Sequence, residues 1–143
     1  MVALTKDRNT PRLEGDLRVG PVAAATLIFA GAIVMRDAAG NLTKGRTAAG
    51  LVGVGRAEQR VDNSAGAAGD ATLRYLPGCY PYDNSAGADE ITAADIGNKC
   101  FVVDDQTVAK TDNGGARSPA GIIDNVDATG VWIRFDEALT NAA

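Results

Sequence analysis

The polar and apolar positions alternate along much of the chain, with a period near two. In Gly130-Val131-Trp132-Ile133-Arg134-Phe135, the residues Val131, Ile133 and Phe135 fall on one face and Trp132 and Arg134 on the other. Leu73 and Tyr75 oppose Thr72, Arg74 and Leu76 in the same way. Further strands are predicted at Thr26–Phe29, Ala32–Met35, Leu51–Val61, Cys100–Val103, Thr107–Ala109 and Ala120–Ile123. Val52 and Val54 alternate with Gly53 and Gly55, which suits a strand passing close to another backbone. Tyr80 and Tyr82 share a face of a short strand that contains Pro81, and a proline there predicts a sheet edge.

Between these runs lie turn signals. Gly31 marks a bulge or turn, Asp37–Asn41 a hairpin turn, Pro77-Gly78 another turn, and Asp112–Gly115 a mobile tip. The six residues DNSAGA occur twice, from Asp62 and from Asp83. Two copies are too few for a solenoid and predict two similar connections at the same end of a barrel. Helical signals are sparse. Ile91–Asn98 is the one credible helix, opened by Thr92 with Asp95 three residues on and closed by Gly97-Asn98. Short strands with frequent turns predict a mainly β fold, closed or sandwich-like.

Residues 1–16 show neither period and carry Pro11, so an extended N-terminal arm is expected, drawn to residue 19 where strands begin. The body then spans 20–136 and a flexible C-terminal tail 137–143. Hydrophobic residues make up 45% of the 143-residue chain, which suits one globular domain. Aromatics are only 5% and much of the rest is Ala, so the core is expected to be thin and helped by self-association.

Charge and chemistry narrow the function. A net charge of −4 without a basic stripe argues against nucleic acid as a partner. No apolar run is long enough to span a bilayer, no signal peptide is recognisable, and a protein made in the cytoplasm is expected. There is no histidine, which removes the commonest general base and metal ligand, so neither enzyme, metal nor cofactor is expected. Gly50-x-x-Gly53-x-Gly55 lacks the order of a nucleotide-binding loop. Asp89, Glu90, Asp104 and Asp105 could serve a carboxylate-dependent hydrolase, but solvated turns explain them more simply. Cys79 and Cys100 are expected to be free, buried thiols. Tyr80, Tyr82 and Trp132 could form a self-association patch or a sugar-binding platform, or else belong to the core.

A longer-range likeness adds to this. The arm Lys6-Asp7-Arg8-Asn9-Thr10-Pro11 is followed in order by Val22-Ala23-Ala24, Phe29–Val34, Gly53–Ala57, Asp62–Asp70, Ile96-Gly97, Val103–Ala109, Ala120-Gly121 and Gly130–Phe135. In this order the chain resembles the capsid cement, or decoration, proteins of tailed phages and Mu-like prophages. It departs from the simplest of them in the long Asp83–Gln106 excursion. The resemblance implies a compact β-barrel or β-tulip-like body with an extended arm and one short helix. It implies a place on the outer surface of the virion head, the major capsid protein as partner, and a homo-oligomer, a trimer rather than a dimer. On this reading Lys6, Arg8, Asn9, Thr10 and Arg12 of the arm contact the capsid. The alternatives are another phage structural protein, such as a tail tube or head-completion protein, and a carbohydrate-binding β-module.

Overall fold

The computed structural model describes residues 2–11 and 15–143. In chain order the strands are β1 (Arg18–Pro21), β2 (Thr26–Ile28), β3 (Ile33–Arg36), β4 (Leu42–Lys44), β5 (Val52–Ala57), β6 (Val61–Asn63), β7 (Thr72–Leu76), β8 (Gly78–Tyr82), β9 (Lys99–Val102), β10 (Val108–Ala109), β11 (Pro119–Asp127) and β12 (Gly130–Phe135), and helix α1 (Glu137–Ala142) follows. One five-stranded sheet has the order β1-β7-β5-β3-β4, a second the order β10-β9-β11-β12-β8, and β2 pairs with β6 as a ribbon. The fold is mainly β, as the alternation predicts.

Each sheet follows from its side chains. Leu73 and Tyr75 of β7 are buried while Thr72 and Arg74 are exposed. Val131, Ile133 and Phe135 of β12 are buried while Arg134 is exposed. β8, with Pro81, is an edge strand. The β3–β4 hairpin turns where expected: the Asp37 carboxylate accepts from the Ala39 amide at 3.0 Å and the Asn41 amide at 2.9 Å, an Asx turn that fixes the reversal.

Two core clusters form among the described residues. One gathers Val34, Leu42, Val54, Leu73 and Tyr75, the other Ile33, Met35, Val102, Ile123, Ile133 and Phe135. Strand β3 serves both, with Val34 in the first and Ile33 and Met35 in the second. Its neighbour β5 is likewise shut in on both sides. A Cβ on Gly53 would overlap the backbone of Ala120 in β11, and one on Gly55 would overlap the backbone at Leu76. The valine–glycine alternation thus marks two close approaches, one at Gly53 to β11 of the second sheet and one at Gly55 to β7 of the same sheet. A register shift between Val34 and Met35, opposite Gly55 and Gly53, leaves Val54 as the extra residue of a bulge.

The two sheets are tied by main-chain bonds. The Ile33 amide donates to the Asp105 carbonyl at 2.9 Å, and an antiparallel bridge joins Arg46 to Asp104. The outer strands of each sheet also approach one another. A parallel bridge joins Val22, just past β1, to Leu42 of β4, and another joins Asp83, just past β8, to Thr107 beside β10. The Ala23 amide donates to the Leu42 carbonyl at 2.8 Å and the Asp83 amide to the Gln106 carbonyl at 2.8 Å.

Three expectations need correction. Residues 91–98 are not an α-helix: they contain a 3-10 turn at Ala93–Asp95 after another at Gly87–Asp89. The Thr92–Asp95 capping box does form, but Ile96 is already extended and Gly97 takes φ +94, which ends the turn at once. The helix lies instead in the segment expected to be a flexible tail. Asp136 caps α1 by accepting from the Leu139 amide, Thr140 is buried, and Arg36 of β3 donates through Nε to both Glu137 carboxylate oxygens at 3.1 Å. The arm is also shorter than drawn, because Arg18 and Val19 already belong to β1.

Replacing Gly53 with Ala should lower stability by about 3 kcal/mol, since the new methyl meets main chain that cannot rotate away. The urea midpoint of the variant against the parent measures this.

Candidate assembly surface

The described part of the arm, residues 2–11, is exposed throughout. Lys6, Arg8, Asn9 and Thr10 make no hydrogen bond or ion pair among the described residues. Arg12 lies outside the described residues. Sequence reasoning stressed the charges and missed the apolar positions: Val2 is 92% exposed and Leu4 72%. Their alternation about Ala3 was the available signal. Past the arm, Leu17 and Val19 continue the exposed apolar series at 47% and 62%.

The arm runs into an edge strand, and the hydrogen-bond parity of that edge is readable. The Val22 amide donates to the Ala71 carbonyl at 2.9 Å. In the antiparallel register Gly20↔Leu73 and Arg18↔Tyr75 are therefore the bonded pairs of β1 and β7, and Val19↔Arg74 is not. The amide and carbonyl of Val19 point away from β7. From Ala23 onward the edge is occupied by Leu42, so the open part of this edge is the part next to the arm.

Beside the root of the arm lies a cleft of about 560 Å³ lined by Arg18, Arg36, Tyr75, Pro77, Phe135 and Glu137, among others. Its central charge is already matched. Arg36 bonds Glu137, and its Nη2 donates to the Tyr75 hydroxyl at 2.8 Å. The cleft pins α1 to the first sheet.

The three aromatics do not share a surface. Tyr82 is 8% exposed, packs edge-to-face on Phe135 with ring centres 5.9 Å apart, and donates its hydroxyl to the Gly31 carbonyl at 2.7 Å. Burial pushes its phenol well above the ordinary value of 10.0. Tyr80 is half-buried under the Arg56 guanidinium, 4.3 Å from the ring centre. Trp132 sits opposite Pro81 on the outer face of β12 and donates its indole N–H to Asp127 at 3.0 Å. Tyr80 and Tyr82 thus face inward and Trp132 outward, which dissolves the expected patch and the sugar platform with it. The aromatic that does stand out is Phe29, half-exposed with Arg60 over its ring.

Several acidic residues, Asp89 and Asp104 of the four hydrolase candidates among them, are occupied by structural bonds. Asp89 accepts from the Thr111 hydroxyl and from Arg117, and both hold its carboxyl below the ordinary value of 3.8. Asp95 is held down by the Thr92 amide and by Lys110. Asp127 is held down by the Thr129 amide and the Trp132 indole, and Asp62 by the Ser64 hydroxyl and amide. Asp104 closes a turn by accepting from the Gln106 amide at 2.9 Å. In each DNSAGA copy the asparagine anchors a loop. Asn63 is buried and donates to the Ala23 and Ala67 carbonyls at 3.0 Å, whereas Asn84 exchanges two bonds with the backbone of Ile91.

Both cysteines are free, but they differ: Cys100 is buried and Cys79 is exposed on the edge strand β8, against the expectation that both are buried. Burial pushes the Cys100 thiol up to about 12. Among the described residues no group of His, Cys, Asp and Glu is arranged to hold a metal ion, and no helix is long and apolar enough to cross a membrane. Comparison of the chain with protein-family models, with curated proteins and with solved structures finds no match. The functional reading therefore rests on the geometry above and on the sequence resemblance.

Two outcomes follow from these environments. An aromatic disulfide reagent should titrate one thiol, Cys79, in the folded chain and both thiols in denaturant; rapid reaction of Cys100 in the folded chain contradicts its burial. Acid should destabilise the fold in a defined direction. Asp62, Asp89, Asp95 and Asp127 have carboxyls held below 3.8, so their contribution is complete above that pH and is lost as pH falls through their lower folded values. Thermal melts should stay flat from neutral pH to about 5 and drop below 3.8.

Proposed function

We propose that this chain is a capsid decoration protein of a tailed phage or Mu-like prophage, held on the outer face of the head by its N-terminal arm. The observation that carries the reading is the arm itself: residues 2–11 are exposed, with polar and apolar side chains outward, and the chain then enters the sheet at an edge strand. An extended arm of this kind can add a strand to the edge of a sheet in the major capsid protein, with main-chain bonds giving affinity and alternate side chains giving choice of partner. Val2 and Leu4 offer the apolar anchors, and Lys6, Arg8, Asn9 and Thr10 the polar contacts.

The bridges between the outer strands of each sheet support reading the body as a closed, barrel- or tulip-like unit. A body of that shape suits a clamp that does no chemistry. Each main-chain hydrogen bond contributes only about 1 kcal/mol net, so a single arm binds weakly. An oligomer, a trimer in this reading, presents several arms at once, and the second and third bind at high effective concentration. Capsomers joined through one oligomer then resist separation.

Deleting residues 2–14 should leave the circular dichroism spectrum and the cooperative melt unchanged and abolish co-sedimentation with heads of the phage whose genome encodes the chain. Full occupancy of heads by the truncated protein overturns the role of the arm. Electron cryomicroscopy of decorated heads should place the body outside the shell at three-fold positions, whereas density in the tail or at the portal supports a tail-tube or head-completion protein.

A further inference from the structure

We infer that Asn113 is a site of spontaneous covalent modification, at which the asparagine is converted through a cyclic imide to aspartate and isoaspartate. Among the asparagines of the chain, Asn113 alone is followed by glycine. It is exposed at the tip of the turn between β10 and β11, and it takes φ +52, with Gly114 at +70 and Gly115 at +91. Nothing lies within 4 Å of where a Cβ would stand on Gly114 or Gly115, and the one main-chain bond to Asn113 is the long one from the Ala116 amide to its carbonyl at 3.4 Å, so the tip is open to approach.

The reacting atoms are also unencumbered. The Asn113 side chain makes no hydrogen bond among the described residues, and the Gly114 amide donates none. Asn63 and Asn84 are the contrast. Each is followed by serine and each is locked by side-chain bonds, Asn63 to the Ala23 and Ala67 carbonyls and Asn84 to Ile91. Those asparagines cannot swing their side-chain carbonyl carbon toward the following nitrogen without breaking buried bonds.

The chemistry balances with water as the co-reactant. Hydroxide removes the proton of the Gly114 amide, and that nitrogen attacks Cγ of Asn113. The new C–N bond forms as the Cγ–Nδ2 bond breaks, and ammonia leaves carrying a proton from water. Water then adds to one of the two imide carbonyls. Opening at one side gives aspartate; opening at the other gives isoaspartate, in which the main chain runs through the former side chain. The net change is asparagine plus water to an acid plus ammonia, and it adds one negative charge beside Asp112.

The surroundings allow the fold to survive it. The turn is held at its base, where the Arg117 amide donates to the Asp112 carbonyl at 3.0 Å and the Arg117 side chain bonds Asp89 and the Thr111 carbonyl. The tip beyond those bonds can lengthen without disturbing β10 or β11.

The full chain, incubated at pH 7 to 9 and followed by mass spectrometry, should gain a species heavier by about one dalton, the difference between an amide and an acid at a thermolabile asparagine. Peptide mapping should place the gain on the segment that holds Asn113, as a mixture of aspartate and isoaspartate, and its rate should rise with pH. A synthetic peptide of residues 110–118 is the reference. Conversion in the folded chain at a rate comparable to the peptide supports the inference; conversion of the peptide with an inert folded chain overturns it, as does mapping of the gain to another asparagine. Asn113→Gln should lose the heavier species. Asn113→Asp, which carries the product charge, should keep the parent melting curve and show that loss of the signal is not loss of the fold.

Discussion

The packing of β5 against β11 is the constraint on which the remaining structure depends. Two small cores flank the strand pair β3 and β5, and neither core is large. They can share that pair only if its backbone comes close to the facing sheet, which requires a position without a side chain. Gly53 meets this need against Ala120 of β11, while Gly55 lets β5 approach Leu76 of β7 within its own sheet. With that approach in place, Val34 and Met35 can point into different cores from adjacent positions. Buried aromatic area is modest in this chain, so the sharing of one strand pair between two apolar clusters substitutes for a single thick core.

Local rules read well wherever a residue's environment is set by its own strand. The alternation in β7 and β12, the edge position of β8 with its proline, and the Asp37 turn were all legible for that reason. The valine–glycine alternation of β5 was legible too, because only a close neighbour explains repeated glycines in a strand. The failures came where distant chain decided. Tyr82 looks like a surface tyrosine until Gly31 supplies the carbonyl for its hydroxyl and Phe135 its packing face. The C-terminal residues look too few and too polar to order, until Asp136 caps the turn and Arg36, about a hundred positions earlier, grips Glu137. At residues 91–98 the capping signal was real but insufficient, since a cap starts a turn and does not prolong it.

The same division applies to the candidate surface. That a polar arm precedes the body was visible in the absence of any period. Where the arm joins the sheet, and that the main chain of Val19 points away from β7, depended on pairing with β7 and β4, which no local pattern encodes. The expected aromatic patch failed for a geometric reason: residues on neighbouring strands share a face only when their register and parity agree, and Trp132 sits opposite Pro81 rather than opposite either tyrosine.

The bridges Val22–Leu42 and Asp83–Thr107 carry one more consequence. A sheet with free borders invites other sheets, and a protein crowded at high local concentration meets its own copies constantly. Where Val22 meets Leu42 and Asp83 meets Thr107, main chain of one border is taken up by the other and is not offered to a stranger. Such shielding works against sheets growing uncontrolled from copy to copy, while the main chain of Val19, beside the arm, still points away from β7.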